Sequence, residues 1–83
     1  LQNESSQKVL TYFSEKLTGQ INWTEAEIKL LVNETGEITG VKGKDLYAPL
    51  RISLFGEVHG PDIPLLIGIL GIDETIIRIQ RHI

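Results

Sequence analysis

The chain contains no cysteine and no methionine. Without cysteine it can form neither a disulfide framework nor a cysteine-based zinc site. A natural translation product begins with Met, whereas this chain begins with Leu1, so we expect a segment of a longer protein or a processed product. The longest apolar run, Ile63 to Ile72, contains a proline and two glycines and is too short to span a bilayer. We therefore expect no membrane partner.

The residue sets that carry catalysis are also missing. The two histidines, His59 and His82, have no partners at the spacing of a metal site or of an activated nucleophile. No H-E-x-x-H, G-x-S-x-G or G-x-G-x-x-G motif occurs. We expect no catalysis and no metal or cofactor site within these residues, which leaves recognition as the function class.

Positive charge is scarce, since the net charge is −3. That balance is unfavourable for a protein that binds nucleic acid over its whole surface. Residues 1–40 carry three lysines against six glutamates, whereas residues 41–83 carry five basic and five acidic residues. Any contact with a polyanion is therefore expected to be local and to lie in the second half.

Eighty-three residues, 41% of them hydrophobic, are enough for one small globular domain. Apolar residues at helical spacing predict a first helix over Gln2–Leu17. Thr24 and Glu27 have the spacing of a capping box, which predicts the start of a second helix. That helix should end near Thr35, with Gly36 as its left-handed cap.

Trp23, the single tryptophan, has two interpretations. It could be a platform on which a base stacks. The favoured interpretation is a staple, because Trp23 precedes the cap and Ile28 follows at the fourth helical position.

The segment from Lys44 to Phe55 is harder to assign. Its apolar residues fit one face of a helix, and a strand is disfavoured because no second strand is present to pair with it. Pro49 leaves two forms open: a helix that begins near Ala48 after a separate turn, or a longer helix bent at Pro49. Gly56 ends either form.

Two more helices complete the prediction. Pro61 suits the first position of one helix, with Asp62 in its first turn and Gly71 at its end. Asp73 begins the last, where Arg78 lies near the C-terminus and complements the helix dipole. The predicted fold is all-α, a small bundle of about five helices in a single domain over residues 1–83.

Candidate recognition residues cluster in the second half. Lys42, Lys44 and Arg51 lie close in sequence. The turn Gly60-Pro61-Asp62 opens a helix whose first amides can donate to phosphate or to a base. The Asp62 carboxylate disfavours phosphate but can accept from the amino group of cytosine. The alternatives are an ordinary exposed or ion-paired Arg51 and simple helix capping at the turn.

Four pieces of the second part of the chain form a distinctive set, namely Trp23-Thr24, the run Gly43-Lys44-Asp45-Leu46-Tyr47-Ala48-Pro49-Leu50-Arg51, the run Gly56-Glu57-Val58-His59-Gly60-Pro61, and Leu70-Gly71. In the order and separation of these pieces, the chain from about Trp23 to its end closely resembles the C-terminal anticodon-binding region of bacterial glutamyl-tRNA synthetases, which are class I aminoacyl-tRNA synthetases. The set is specific, although no single piece would be.

The resemblance implies a helical subdomain in which Lys44–Phe55 is one helix bent at Pro49. It implies that Arg51 faces the anticodon and that the turn formed by Gly60, Pro61, Asp62 and Ile63 approaches the bases. Lys42 and Lys44 would attract the tRNA backbone. The expected partner is tRNA-Glu, and the expected parent is a monomeric cytoplasmic glutamate–tRNA ligase that uses ATP and Mg in a domain outside this chain.

Two residues depart from the family pattern. Phe55 stands where the family often has Thr, which is expected to alter the packing beneath the turn. Ala48 is too small for the polar contact that some members make there. The alternative function is a free-standing helical protein–protein interaction module, which the acidic first half and the net charge of −3 would suit.

Overall fold

A computed structural model describes residues 4–20 and 22–83. Within these ranges the chain forms five helices and no strand. They are α1 (Glu4–Thr18), α2 (Glu25–Thr39), α3 (Lys44–Phe55), α4 (Ile63–Leu70) and α5 (Ile72–Gln80). The predicted all-α bundle is confirmed. Residues 2 and 3 of the predicted first helix lie outside the described residues.

The core lies between α1 and α4, each of which packs against α2, α3 and α5. The fully buried apolar face of α1 is central to it, and consists of Val9, Leu10, Phe13 and Leu17. From α3, Leu46, Leu50 and Leu54 are buried at successive helical turns. No helix in the described part of the chain is long and apolar enough to cross a membrane.

The start of α2 matches its prediction. The Thr24 hydroxyl accepts from the Glu27 amide at 3.1 Å, and the Glu27 carboxylate accepts from the Thr24 amide at 2.9 Å. Trp23 is half-buried against the core, and its indole N–H donates to the carbonyls of Gln20 and Leu17 at 3.0 and 3.3 Å. These contacts fix the connection from α1 to α2 and agree with the structural interpretation of Trp23.

The predicted end of α2 at Gly36 is wrong. The helix continues to Thr39, and Gly36 is buried inside it. The left-handed cap is Gly40, with φ 75°, whose amide donates to the Gly36 carbonyl at 2.9 Å. Leu46 of α3 packs directly against Gly36, a contact that local sequence does not reveal.

The third helix is a single element that runs through Pro49. Because Pro49 has no amide hydrogen to donate to the Asp45 carbonyl, it is the point at which α3 is expected to bend.

The start of α4 differs from its prediction, because Pro61 lies outside the helix. Asp62 is the N-cap, and Pro64 fills the first turn in place of Pro61. The last helix begins one residue before Asp73, at Ile72.

Candidate nucleic-acid interface

Tyr47, Arg51 and Phe55 form one row along α3. They are spaced by four residues and therefore lie on one side of the helix. The opposite side is buried in the core, so this row lies on the accessible side of α3, where it can meet a ligand.

Arg51 has hydrogen-bonding capacity that the protein does not use. Its Nε atom is buried and has no hydrogen-bond partner among the described residues. No carboxylate of the described ranges forms an ion pair with it. Its guanidinium carbon lies 5.9 Å from the centre of the Tyr47 ring, within the range of a cation–π contact. Arg51 is therefore partly buried beside Tyr47, with no hydrogen bond or ion pair to the described residues, and the ion-paired alternative does not apply here.

Asp62 leaves a carboxylate uncommitted at the start of α4. Its backbone carbonyl accepts from the Leu66 amide at 2.9 Å, but its side chain accepts no capping bond. Pro64 removes one of the first amides of this helix, so its end offers fewer donors than the sequence suggests. The polar group that α4 presents is thus the Asp62 carboxylate more than its amides.

A cleft of about 360 Å³ brings these groups together. It is lined by α2, α3 and the start of α4, through Lys29, Val32, Asn33, Tyr47, Arg51, Asp62, Ile63 and Pro64. Among the predicted site residues, Arg51, Asp62 and Ile63 therefore share one cleft. Arg51 and Asp62 form no ion pair with each other, so both charges can act on a ligand.

The other predicted residues lie outside this cleft. Gly60 and Pro61 belong to the turn that leads into it. Lys42 lines a second cleft of about 330 Å³. Lys44 is exposed in the first turn of α3 and lines neither of these two clefts. The roles of all seven residues remain predictions.

Five residues of the first cleft were not among the predicted site residues, and three of these, Lys29, Asn33 and Tyr47, carry a polar group or an aromatic ring that could contact a ligand. Lys29 and Asn33 are four residues apart on α2, a helix for which the sequence predicts only a packing role. The packing of α2 against α1 and α4 brings them to the same cleft as Arg51. Tyr47 carries a detectable signal, since it precedes Arg51 by four residues on the same helix.

Phe55 shapes the turn between α3 and α4. A Cβ added at Gly60 would lie 3.0 Å from Cδ2 and 3.1 Å from Cε2 of the Phe55 ring. The ring therefore packs against the backbone of Gly60. This contact supports the expectation that Phe55 alters the packing beneath the turn.

Arg78 holds the end of α3 that leads into this turn. Its guanidinium donates to the Leu54 carbonyl at 2.7 Å and to the Glu74 carboxylate at 2.7 Å. The bond from Arg78 lowers the pKa of Glu74 below its ordinary value. Beyond complementing the helix dipole, as predicted, Arg78 thus connects α5 to α3. No group of three or more histidine or acidic side chains within the described ranges is arranged to hold a metal ion.

A helical bundle that places an arginine, an aromatic ring and a carboxylate around one cleft has the groups by which proteins recognise unstacked bases of RNA. Comparison with known proteins identifies the family. The chain belongs to the anticodon binding domain family, whose sequence profile matches residues 1–83.

Two similar proteins are glutamate–tRNA ligases. The one from Staphylococcus saprophyticus is 32% identical and the one from Listeria innocua serovar 6a is 38% identical, each over 80 residues. Each match covers 96% of this chain and 16% of the relative, so the chain spans less than a fifth of their length. No solved structure matches the chain. These findings confirm the resemblance to glutamyl-tRNA synthetases and do not favour the protein–protein module.

Proposed function

We propose that this chain is the anticodon-binding domain of a glutamate–tRNA ligase and that its first cleft binds a base of the tRNA-Glu anticodon. The proposal rests on one observation, namely that Arg51 and Asp62 line the same cleft and form no ion pair with each other. The cleft volume, about 360 Å³, is at the small end of the range for ligand pockets, as an unstacked base requires.

Recognition follows from the chemistry of the two side chains. The Arg51 guanidinium has only donors, and the Asp62 carboxylate has only acceptors. A base that carries an acceptor and an amino group on one edge, such as cytosine, can satisfy both. The Gly60-Pro61 turn sets the path of the chain into Asp62 and Ile63, while Lys42 and Lys44 attract the phosphates.

The parent enzyme would attach glutamate to tRNA-Glu with ATP and Mg²⁺ in a catalytic domain outside this chain. That assignment, with a cytoplasmic location and a monomeric state, rests on the family resemblance and on the two ligases above.

The test compares Arg51→Ala with Arg81→Ala, which removes the same charge from an exposed position just after the end of α5, away from the first cleft. Binding of a fluorescent tRNA-Glu anticodon stem–loop is measured by anisotropy, and charging of tRNA-Glu is measured in the parent enzyme. We expect Arg51→Ala to weaken binding about tenfold or more, the loss typical of a specific base contact. Charging should suffer mainly through affinity for tRNA.

The control variant Arg81→Ala should stay within about twofold of the wild type, as expected for a weakly coupled surface charge. Equal losses for the two variants would reduce Arg51 to a general electrostatic contact. An unchanged charging efficiency in the Arg51→Ala parent enzyme would refute the assignment.

A further inference from the structure

The turn that leads from α3 to Asp62 has little of its own to hold it in place. Residues 57–61 form no hydrogen bond with one another or with any other described residue. Glu57, His59 and Gly60 of this turn are exposed. The path of the turn, and therefore the position of Asp62, depends on how the two ends of the turn are anchored.

One anchor at each end comes from a hydrogen bond. At the far end, the Asp62 carbonyl accepts from the Leu66 amide at 2.9 Å, which ties the chain to α4. At the near end, the Leu54 carbonyl is among the last carbonyls of α3 and accepts no backbone hydrogen bond within the described ranges. Nη1 of Arg78 donates to it at 2.7 Å. Because this donor is charged, the bond is stronger than an ordinary one, and it ties the end of α3 to α5.

Glu74 orients the guanidinium of Arg78. It lies one helical turn before Arg78 on α5, and its carboxylate accepts from Nε of Arg78 at 2.7 Å. The guanidinium is planar with its donors in a fixed fork, so a bond at Nε restricts the direction in which Nη1 points. Neither residue lines the first cleft. Their effect on this cleft therefore acts through α3 and the turn.

We propose that Arg78, oriented by Glu74, is a positioning residue for anticodon recognition, since it fixes the end of α3 from which the chain reaches Asp62. The inference rests on the proposed function. Arg51 lies three residues before Leu54 on α3, and Asp62 lies beyond the turn. A base that bonds to both side chains requires each of them within about 3 Å of its edge. Loss of the anchor at Leu54 lets the turn take other paths, and the two groups then no longer meet one base together.

The test measures how much the bases contribute to binding. The 83-residue chain is titrated, by fluorescence anisotropy, with an intact tRNA-Glu anticodon stem–loop and with one that is abasic at every anticodon position. Both RNAs carry the same phosphates, so the ratio of their dissociation constants reports base contacts alone. We expect Arg78→Ala to reduce this ratio about fivefold or more, the loss typical of a misplaced base contact. A domain that is only less stable would lose affinity for both RNAs equally and keep the ratio.

Glu74→Ala separates positioning from simple electrostatics. It removes a negative charge, which by itself strengthens RNA binding. We expect the opposite for the intact stem–loop, with a reduced ratio as in Arg78→Ala. Asp73→Ala is the matched control, because it removes the same charge from the neighbouring exposed position, which has no hydrogen bond or ion pair in the described part of the chain. Thr24→Ala, which breaks a capping bond at the start of α2, is the control for stability. Both controls should keep the wild-type ratio.

Each outcome decides between the two proposals. A wild-type ratio in both Arg78→Ala and Glu74→Ala, or an equal fall in Thr24→Ala, would overturn this inference and leave the proposed function intact. A fall in Arg78→Ala alone would retain Arg78 and remove Glu74 from the inference. A wild-type chain that binds both RNAs equally, or neither of them at millimolar concentration, would overturn the proposed function and this inference with it.

Discussion

Replacing Gly36 by alanine sets two opposing effects against each other in α2. Alanine is the better helix former, and Gly36 has ordinary helical geometry, so the intrinsic preference favours the substitution by about 1 kcal/mol. The added Cβ, however, would lie 2.9 Å from Cδ2 of Leu46 and 3.1 Å from the carbonyl oxygen of Val41. The Leu46 methyl group can move aside. The Val41 carbonyl is backbone in the short link to α3, between Gly40 and Gly43, and has less freedom.

The steric effect should win. Overpacking a tight site costs about 1–3 kcal/mol. Subtracting the helix preference leaves a net loss of about 1 kcal/mol for Gly36→Ala. Gly68 on α4 provides the matched control, because it is exposed, lacks a positive φ and has no atom within 4 Å of an added Cβ. Gly68→Ala should therefore stabilise the chain by about 0.5–1 kcal/mol.

Thermal and urea unfolding followed by circular dichroism at 222 nm would measure both changes. For a domain of this size, a difference of about 2 kcal/mol between the variants corresponds to roughly 10 °C in Tm. If Gly36→Ala stabilised the chain as much as Gly68→Ala, the close approach of the Val41 carbonyl to α2 would be refuted.

Three further predictions concern single contacts. Arg78→Ala removes the donor to the Leu54 carbonyl and should lower the free energy of unfolding by about 1 kcal/mol, measured by urea titration; no change would show that water replaces the bond without loss. Thr24→Ala removes half of the capping box and should cost about 1 kcal/mol in the same assay. Because the bond from the Thr24 amide lowers the pKa of Glu27 in the folded chain, its stabilisation is complete above the unfolded pKa, about 4.3. It is lost as pH falls through the lower folded pKa, so Glu27→Gln should flatten the stability profile in this acid range, and a parallel profile would contradict the reasoning.

The start of α2 could be predicted from sequence, because both bonds of the capping box join residues three positions apart. The end of the same helix could not. Gly36 and Gly40 are equally suitable caps by residue type, and they differ in the structure by a contact of Gly36 with Leu46, ten positions beyond it and in another helix. The bonds that start this helix are local in sequence, whereas the contacts near its end are not.

The candidate site divides in the same way. Arg51 and Asp62 could be predicted from a segment rich in proline and glycine and from the family resemblance, and the structure places both residues in one cleft. Lys29 and Asn33 could not be predicted, because α2 exposes several polar residues and its tertiary packing decides which of them line the cleft. When a contact surface is shared by three helices, the sequence therefore predicts only the contact residues that belong to the motif.

The turn between α3 and α4 shows why recognition residues and packing residues cannot be assigned separately. The resemblance places Gly60 near the bases and gives Phe55 only a packing effect. In the structure a Cβ at position 60 would lie 3.0 Å from the Phe55 ring, so a larger residue at position 60 would require this half-exposed ring to shift. The preceding residue, Leu54, is held through its carbonyl by Arg78 of α5. Side chains outside the first cleft thus determine the path of the chain from α3 to Asp62. This path in turn sets the distance between the Arg51 and Asp62 charges, which the proposed base must contact together.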